Sequence, residues 1–332
     1  MSPMLSLKGL ALGTSLSAAL ATGALAADLM PKRLPPEAAA PAVTPVADFI
    51  FGARFQSDYN FRGVSQSNRD PSGQSYFELQ LFDNLVYGGF TTYKVDLPTR
   101  PAMELDLTGG IRPKFGPFAF DLGFIYYVYP NERQFIDVAN GAILSPRNTD
   151  FIEFAAKAAY TYNDALTFGI GVFHAPDLLG TGAPGTYLNG TVKYTLPEDT
   201  FGIPGQFAAS AEFAHYFLGR TGSLLGNVQL PEYNYGNVGI SYTYGNATLD
   251  VRYHNTDLSK RECFAFTGDP RGFATGSGRS NWCGDAVIAT VSFDFTASKV
   301  AGVFAPEPVA APTASERGGP PRARDATGQA FR

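Results

Sequence analysis

Between Asp48 and Gly63 the chain reads DFIFGARFQSDYNFRG, and its side chains sort by parity into two unlike sets. Phe49, Phe51, Ala53, Phe55, Tyr59 and Phe61 fall on odd positions, and Asp48, Gly52, Arg54, Gln56, Asp58, Asn60 and Arg62 on even ones. A β-strand sends alternate side chains to opposite faces, so this stretch has one aromatic face and one charged face. The helical period of 3.6 scatters both sets around the circumference instead. A chain that repeats this split must cover its aromatic face with protein or with lipid.

The split recurs in eleven further runs, at 74–82, 85–95, 102–112, 118–129, 150–162, 165–174, 185–196, 206–217, 234–244, 247–255 and 285–295. Run 102–112 is the clearest: Met103, Leu105, Leu107 and Ile111 oppose Glu104, Asp106, Thr108 and Arg112. Asp83-Asn84, Asn163-Asp164 and Gly245-Asn246 are two-residue hairpin signals. Tight turns follow the second, fourth, sixth and tenth runs, with a somewhat longer one after the eighth. Long connections follow the first, fifth, seventh, ninth and eleventh, and an intermediate one the third. Short-long alternation is the pattern of a membrane barrel with tight periplasmic turns and long outer loops. Runs of about 10 residues match a tilted outer-membrane strand, whereas strands of soluble sandwiches are commonly nearer 5 or 6. The expected fold is therefore all-β, an antiparallel transmembrane β-barrel of about 12 strands with both termini periplasmic. A soluble β-sandwich is the alternative.

Composition agrees with strands and turns: charged residues are 17%, and Gly (36), Phe (27) and Tyr (17) are abundant. Lys8, the apolar run 9–25 and Ala24-Leu25-Ala26 read as a cleaved secretory signal. A transmembrane anchor is the other reading of that run, which is short and followed by Asp28 and several prolines. No other window holds the 18 or more apolar residues of a spanning helix. The expected layout is a signal peptide over 1–26, a Pro/Ala-rich linker over 27–47, the barrel over 48–295 and an extended periplasmic tail over 296–332.

A net charge of -5 argues against a nucleic-acid partner, which calls for a clustered basic surface. The two cysteines, Cys263 and Cys283, lie in one loop-like region of an exported chain, where oxidising conditions favour a disulfide of about 3 kcal/mol. A metal site is the rival reading, although neither a second pair nor a nearby His completes a ligand set.

Catalytic constellations are scarce. Gly180 to Gly185 matches GxGxxG but lies between two strand runs with no helix to aim at a phosphate, so it reads as a flexible loop. There is no GxSxG elbow. His174, His215 and His254 fall near strand ends, and a membrane-embedded hydrolase pairing one of them with a Ser is the least favoured function. Neither a catalytic residue nor a cofactor is assigned.

The charged parity offers a better site. Arg54, Asp58, Arg62, Glu78, Lys94, Glu104, Asp106, Arg112, Asp121, Glu153, Lys157, Lys193, Glu212, Asp250, Arg252 and Asp294 are expected to project into the lumen. Charges of both signs along a water-filled pore set a transverse field that selects solutes. The alternative is that they pair with one another and plug a non-conducting structural or surface-interaction barrel. On the first strand, Tyr59 and Phe61 are expected in the outer aromatic girdle and Asp58 and Arg62 at the upper pore wall.

At Ser57-Asp58-Tyr59-Asn60-Phe61-Arg62-Gly63-Val64-Ser65-Gln66-Ser67, followed by Asp70-Pro71, the sequence resembles the TorF-type porins of Gram-negative outer membranes. Glu104-Leu105-Asp106, Asp121-Leu122-Gly123, Tyr126-Tyr127, Tyr129-Pro130 and the cysteine-bearing closing loop extend the resemblance over about 48–295. It implies an outer-membrane barrel with a pore-forming role, passing small polar or ionic solutes and surrounded by outer-membrane lipid. It also implies insertion by the outer-membrane assembly machinery, which reads the aromatic end of the last strand. Phe295 occupies that place here, with the tail following it.

Overall fold

The computed structural model describes residues 47–137, 141–163 and 165–298. The expected signal peptide, nearly all of the linker and the tail beyond residue 298 lie outside the described residues.

Twelve long antiparallel strands form one closed sheet. They are β1 (Ala47–Gln56), β2 (Ser72–Leu81), β3 (Val86–Tyr93), β4 (Glu104–Ile111), β5 (Phe118–Val128), β6 (Phe151–Thr161), β7 (Leu166–Ala175), β8 (Gly185–Thr195), β9 (Gln206–Leu218), β10 (Tyr233–Tyr244), β11 (Ala247–Thr256) and β12 (Ala286–Thr296). Each pairs with its sequence neighbours, and β12 pairs back onto β1 from Ile50↔Thr296 to Gln56↔Thr290. Closure leaves none of the long strands with an open edge, which removes the unpaired backbone groups that lipid cannot satisfy. The two-residue strand Lys114–Phe115 doubles back on the start of β5.

Tight connections and both ends of the barrel chain share one rim, and the long connections share the other. At the tight rim, Phe82, Asp83 and Asn84 all take positive φ (54°, 57° and 62°) to turn β2 into β3, a conformation that Asp and Asn tolerate best. At the long-loop rim, the connection from β11 to β12 carries helices α1 (Lys260–Thr267) and α2 (Pro270–Ala274). Neither approaches the length of a spanning helix, and no helix among the described residues is long and apolar enough to cross a membrane.

The parity read from sequence becomes two surfaces. Phe55, Phe90, Leu107, Leu122, Phe124, Ile170, Phe213, Val238, Ile240, Val251 and Val287 point outward and are exposed. The opposite parity is buried and polar, carrying Arg54, Glu78, Glu104, Asp106, Asp121, Glu153, Glu212, Asp250 and Arg252. An apolar exterior around a polar interior is the inverse of a soluble sandwich and fits a lipid surround.

The first strand departs from expectation. β1 stops at Gln56, and 57–71 leaves the wall instead of continuing to Gly63. A miniature hairpin follows, pairing Asn60–Phe61 with Val64–Ser65. Its turn is made by Arg62 (φ 51°) and Gly63 (φ 85°). A Cβ on Gly63 would lie 2.1 Å from Thr256 Cγ2, so the turn needs glycine both for conformation and for room.

Candidate functional site: the barrel interior

The infolded segment seats itself through its own motif. Arg62 donates to Glu153 of β6 through Nη1 (2.7 Å) and Nη2 (2.9 Å), and both side chains are buried. Its guanidinium carbon also lies 4.4 to 5.1 Å from the ring centroids of Phe61, Phe173, Tyr187 and Tyr216. Bidentate geometry and four ring faces offset the desolvation of the pair. Tyr59 donates to Glu104 of β4 (2.5 Å) and stacks on Tyr93 at 4.4 Å. Tyr129 donates to the other Glu104 oxygen (2.9 Å), and Tyr127 to Glu153 (3.0 Å). Asp58 accepts from Ser65 (2.5 Å) and Ser67 (3.0 Å), closing the segment on itself.

The cysteine loop holds the same segment from above. Cys263 and Cys283 form a disulfide with a Cα–Cα distance of 5.8 Å, so the metal reading falls away. Among the described residues no group of His, Cys, Asp and Glu is arranged to hold a metal ion. Ser65 N–H donates to the Trp282 carbonyl, Trp282 Nε1 to Asn68, and Arg69 to the carbonyls of Asn281 and Cys283. Val64, Tyr127, Phe151, Tyr187, Tyr216, Tyr233, Cys263 and Trp282 belong to one buried cluster, which fills the long-loop half of the interior.

Toward the tight-turn rim the interior is polar. Arg112 pairs with Glu78 (2.6 and 2.8 Å) and Asp121 (3.2 Å) and lies 3.5 Å above the Tyr87 ring. Lys157 pairs with Asp121 at 3.0 Å. On the far wall Arg252 pairs with Asp250, and Glu212 accepts from Tyr187, Asn189 and Asn237 at 2.7, 2.7 and 2.8 Å. Lys193 of β8 shares the inward parity and is half-buried, as is Asp294, which accepts from Tyr76 at 2.6 Å.

Three placements differ from expectation. Lys94 is exposed just past the end of β3, with Nζ on the Pro71 carbonyl, because the inward parity of β3 belongs to Tyr87, Thr91 and Tyr93. Tyr59 and Phe61 lie in the interior and not in an outer girdle. Asp58 and Arg62 are in the infolded segment and not on the wall. The shared cause of the last two is the break after Gln56, which ends the strand period that Asp58, Tyr59, Phe61 and Arg62 relied on. The inward tyrosines were missed, although Tyr127 shares the parity of Asp121 and Tyr187 that of Lys193.

The histidines are dispersed. His174 meets Thr186 (2.9 Å), His215 meets Asn234 (2.9 Å) and Glu232 (3.8 Å), and His254 meets the Tyr235 hydroxyl (2.8 Å). The partner that a hydrolase needs, a serine, is not among these. Residues 180–185 form a packed loop that enters β8 directly, with a Cβ on Gly180 falling 2.6 Å from the Asn148 carbonyl.

Residues 40–277 match Gcw_chp, a bacterial family of unknown function. The chain belongs to that family. The Gcw_chp match carries no TorF-type label and no activity. No curated protein matches the chain. Among solved structures it is similar to the KdgM porin (TM-score 0.42, 11% identity, covering 75% of this chain and 99% of that one). It is also similar to OmpT of Vibrio cholerae (0.35, 9%, 76% and 99%) and to Pseudomonas aeruginosa OpdK with vanillate (0.34, 10%, 68% and 57%). The barrel itself is established by the closed ladder of strand pairs.

Proposed function

We propose that this chain is an outer-membrane channel of small bore for small polar or ionic solutes, with its tight-turn rim and termini on the periplasmic side and its first loop folded inward as a plug. The observation that carries the reading is the pairing of an apolar outer belt with an interior lined by charges of both signs, in a 12-stranded barrel wider than the side-chain-filled eight-stranded kind. The exported-chain signature at residues 1–26 and the resemblance of residues 57–67 to TorF-type porins support the same reading. Passive diffusion needs no cofactor, and selection follows from the field between unlike charges.

A second reading is favoured by one observation: Arg62 and its four rings fill the long-loop half of the interior as a protein core would. On that reading the barrel does not conduct, and the long loops meet outside partners. Planar-bilayer recording of the full chain separates the two. The channel reading expects discrete conductance steps and a reversal potential that shifts under a salt gradient. A flat baseline from both the native protein and a variant with Tyr59–Gln66 replaced by a Gly-Ser linker contradicts it.

A further inference from the structure

Most inward charges are satisfied by an opposite charge or, like Glu104, Glu212 and Asp294, by tyrosine or amide donors, but two of opposite sign have neither. Arg54 on β1 is 3% exposed and Asp106 on β4 is 2% exposed. Arg54 Nε and Asp106 Oδ1 have no hydrogen-bond partner, and the ion pairs among the described residues include neither side chain. Gln56 Nε2 and Gln74 Oε1, the next orphaned atoms, sit beside Arg54: Gln56 is one inward step along β1, and Gln74 is directly across on β2.

Strand register explains why the two charges do not meet. Arg54 faces Gln74, Gln74 faces Tyr93, and Tyr93 faces Glu104, one inward step from Asp106. Three strand spacings of about 4.8 Å separate β1 from β4 along the sheet. Glu104 is already taken by Tyr59 and Tyr129, so Asp106 is the carboxylate left open. The arrangement is a free guanidinium and a free carboxylate held apart on one wall, with an amide donor and an amide acceptor at the guanidinium end.

Buried donors and acceptors in such numbers are satisfied by water or by a solute. A simple anion completes Arg54 and repels Asp106, and a simple cation does the reverse. We propose that Arg54 and Asp106 are the two poles of a subsite for a small zwitterion carrying a carboxylate and an ammonium group, such as an α-amino acid. The solute carboxylate takes the Arg54 guanidinium with Gln56 as a second donor, and the ammonium takes Asp106. The proposal rests on the channel reading for the route by which the solute arrives.

The test is calorimetric titration of the full chain, refolded in detergent micelles, with L-alanine, acetate and methylammonium in turn. Alanine is expected to bind at least tenfold more tightly than either single-charge probe. Arg54→Gln and Asp106→Asn are each expected to weaken alanine at least tenfold, in protein whose strand content by circular dichroism is unchanged. Acetate or methylammonium binding as tightly as alanine overturns the proposal, as does an absence of alanine binding to native protein. The ranking on native protein decides by itself, so a variant that does not fold leaves the test intact. Alanine binding without bilayer conductance removes the channel and keeps the subsite, and conductance without alanine binding does the reverse.

Discussion

Arg62 and Glu153 are 91 residues apart and meet inside the barrel through two hydrogen bonds of 2.7 and 2.9 Å. One comes from the motif of the first loop and the other from the wall of β6, so the pair ties the infolded loop to the barrel. Removing one partner leaves a buried charge uncompensated, a loss of about 3–5 kcal/mol. Glu153→Gln is expected to lower the urea midpoint of protein refolded into vesicles by a corresponding amount. The double variant Arg62→Met with Glu153→Met is expected to regain most of it, because no orphaned charge remains.

The disulfide closes a loop of sequence separation 20 and holds the segment that meets Ser65, Asn68 and Arg69. Replacing Cys263 and Cys283 together by Ser is expected to cost about 3 kcal/mol in the closing loop. Limited proteolysis should then cut between residues 257 and 285 while the strands stay protected. Cleavage within the strands at the same protease dose counts against a locally acting bridge.

Helix α1 opens on a capping box: Ser259 N–H donates to Glu262 Oε2 (2.8 Å), and Glu262 N–H donates to Ser259 Oγ (3.3 Å). The bonds from Ser259 hold the Glu262 carboxyl below its ordinary range. A carboxylate with a lowered folded-state value stabilises the helix above the ordinary glutamate pKa and loses that stability as pH falls through the lowered value. Protection factors of the α1 amides, with the intrinsic pH dependence of exchange divided out, should therefore fall on acidification below about pH 4, and Glu262→Gln should remove that fall. Protection factors that are flat with pH in the native chain contradict it.

Val238 stands mid-strand on β10 and is 54% exposed on the outer face. If that face meets hydrocarbon, Val238→Arg costs about 2–4 kcal/mol. Refolding into vesicles of phosphatidylcholine reads this as a lowered folded yield and urea midpoint. An unchanged midpoint places Val238 outside the bilayer.

Much of the wall was legible because parity is a strong signal when one face meets lipid and the other water. β4 is expected over 102–112 and observed as Glu104–Ile111, and β12 over 285–295 and observed as Ala286–Thr296. The infolding was not legible, since Asp58-Tyr59-Asn60-Phe61 continues the alternation of β1 while the backbone leaves the wall. Alternation reports which side chains could share a face, not where the strand stops. Positive φ at Arg62, Gly63, Asn68 and Arg69 marks the departure, and Gly63 is its clearest sequence trace. Tyr87 and Tyr93 misled for a related reason: their rings read as greasy, but each rests its hydroxyl or ring on interior partners, Asp121 for Tyr87 and Tyr59 for Tyr93.

The central claim is that a polar channel runs through this barrel and that the first loop closes it. Single-channel conductance of the native chain against the variant with Tyr59–Gln66 replaced by a Gly-Ser linker tests it most directly. The account predicts steps at least several-fold larger without the plug, in protein that remains a folded barrel. Equal conductance from the two, or none from either, contradicts it.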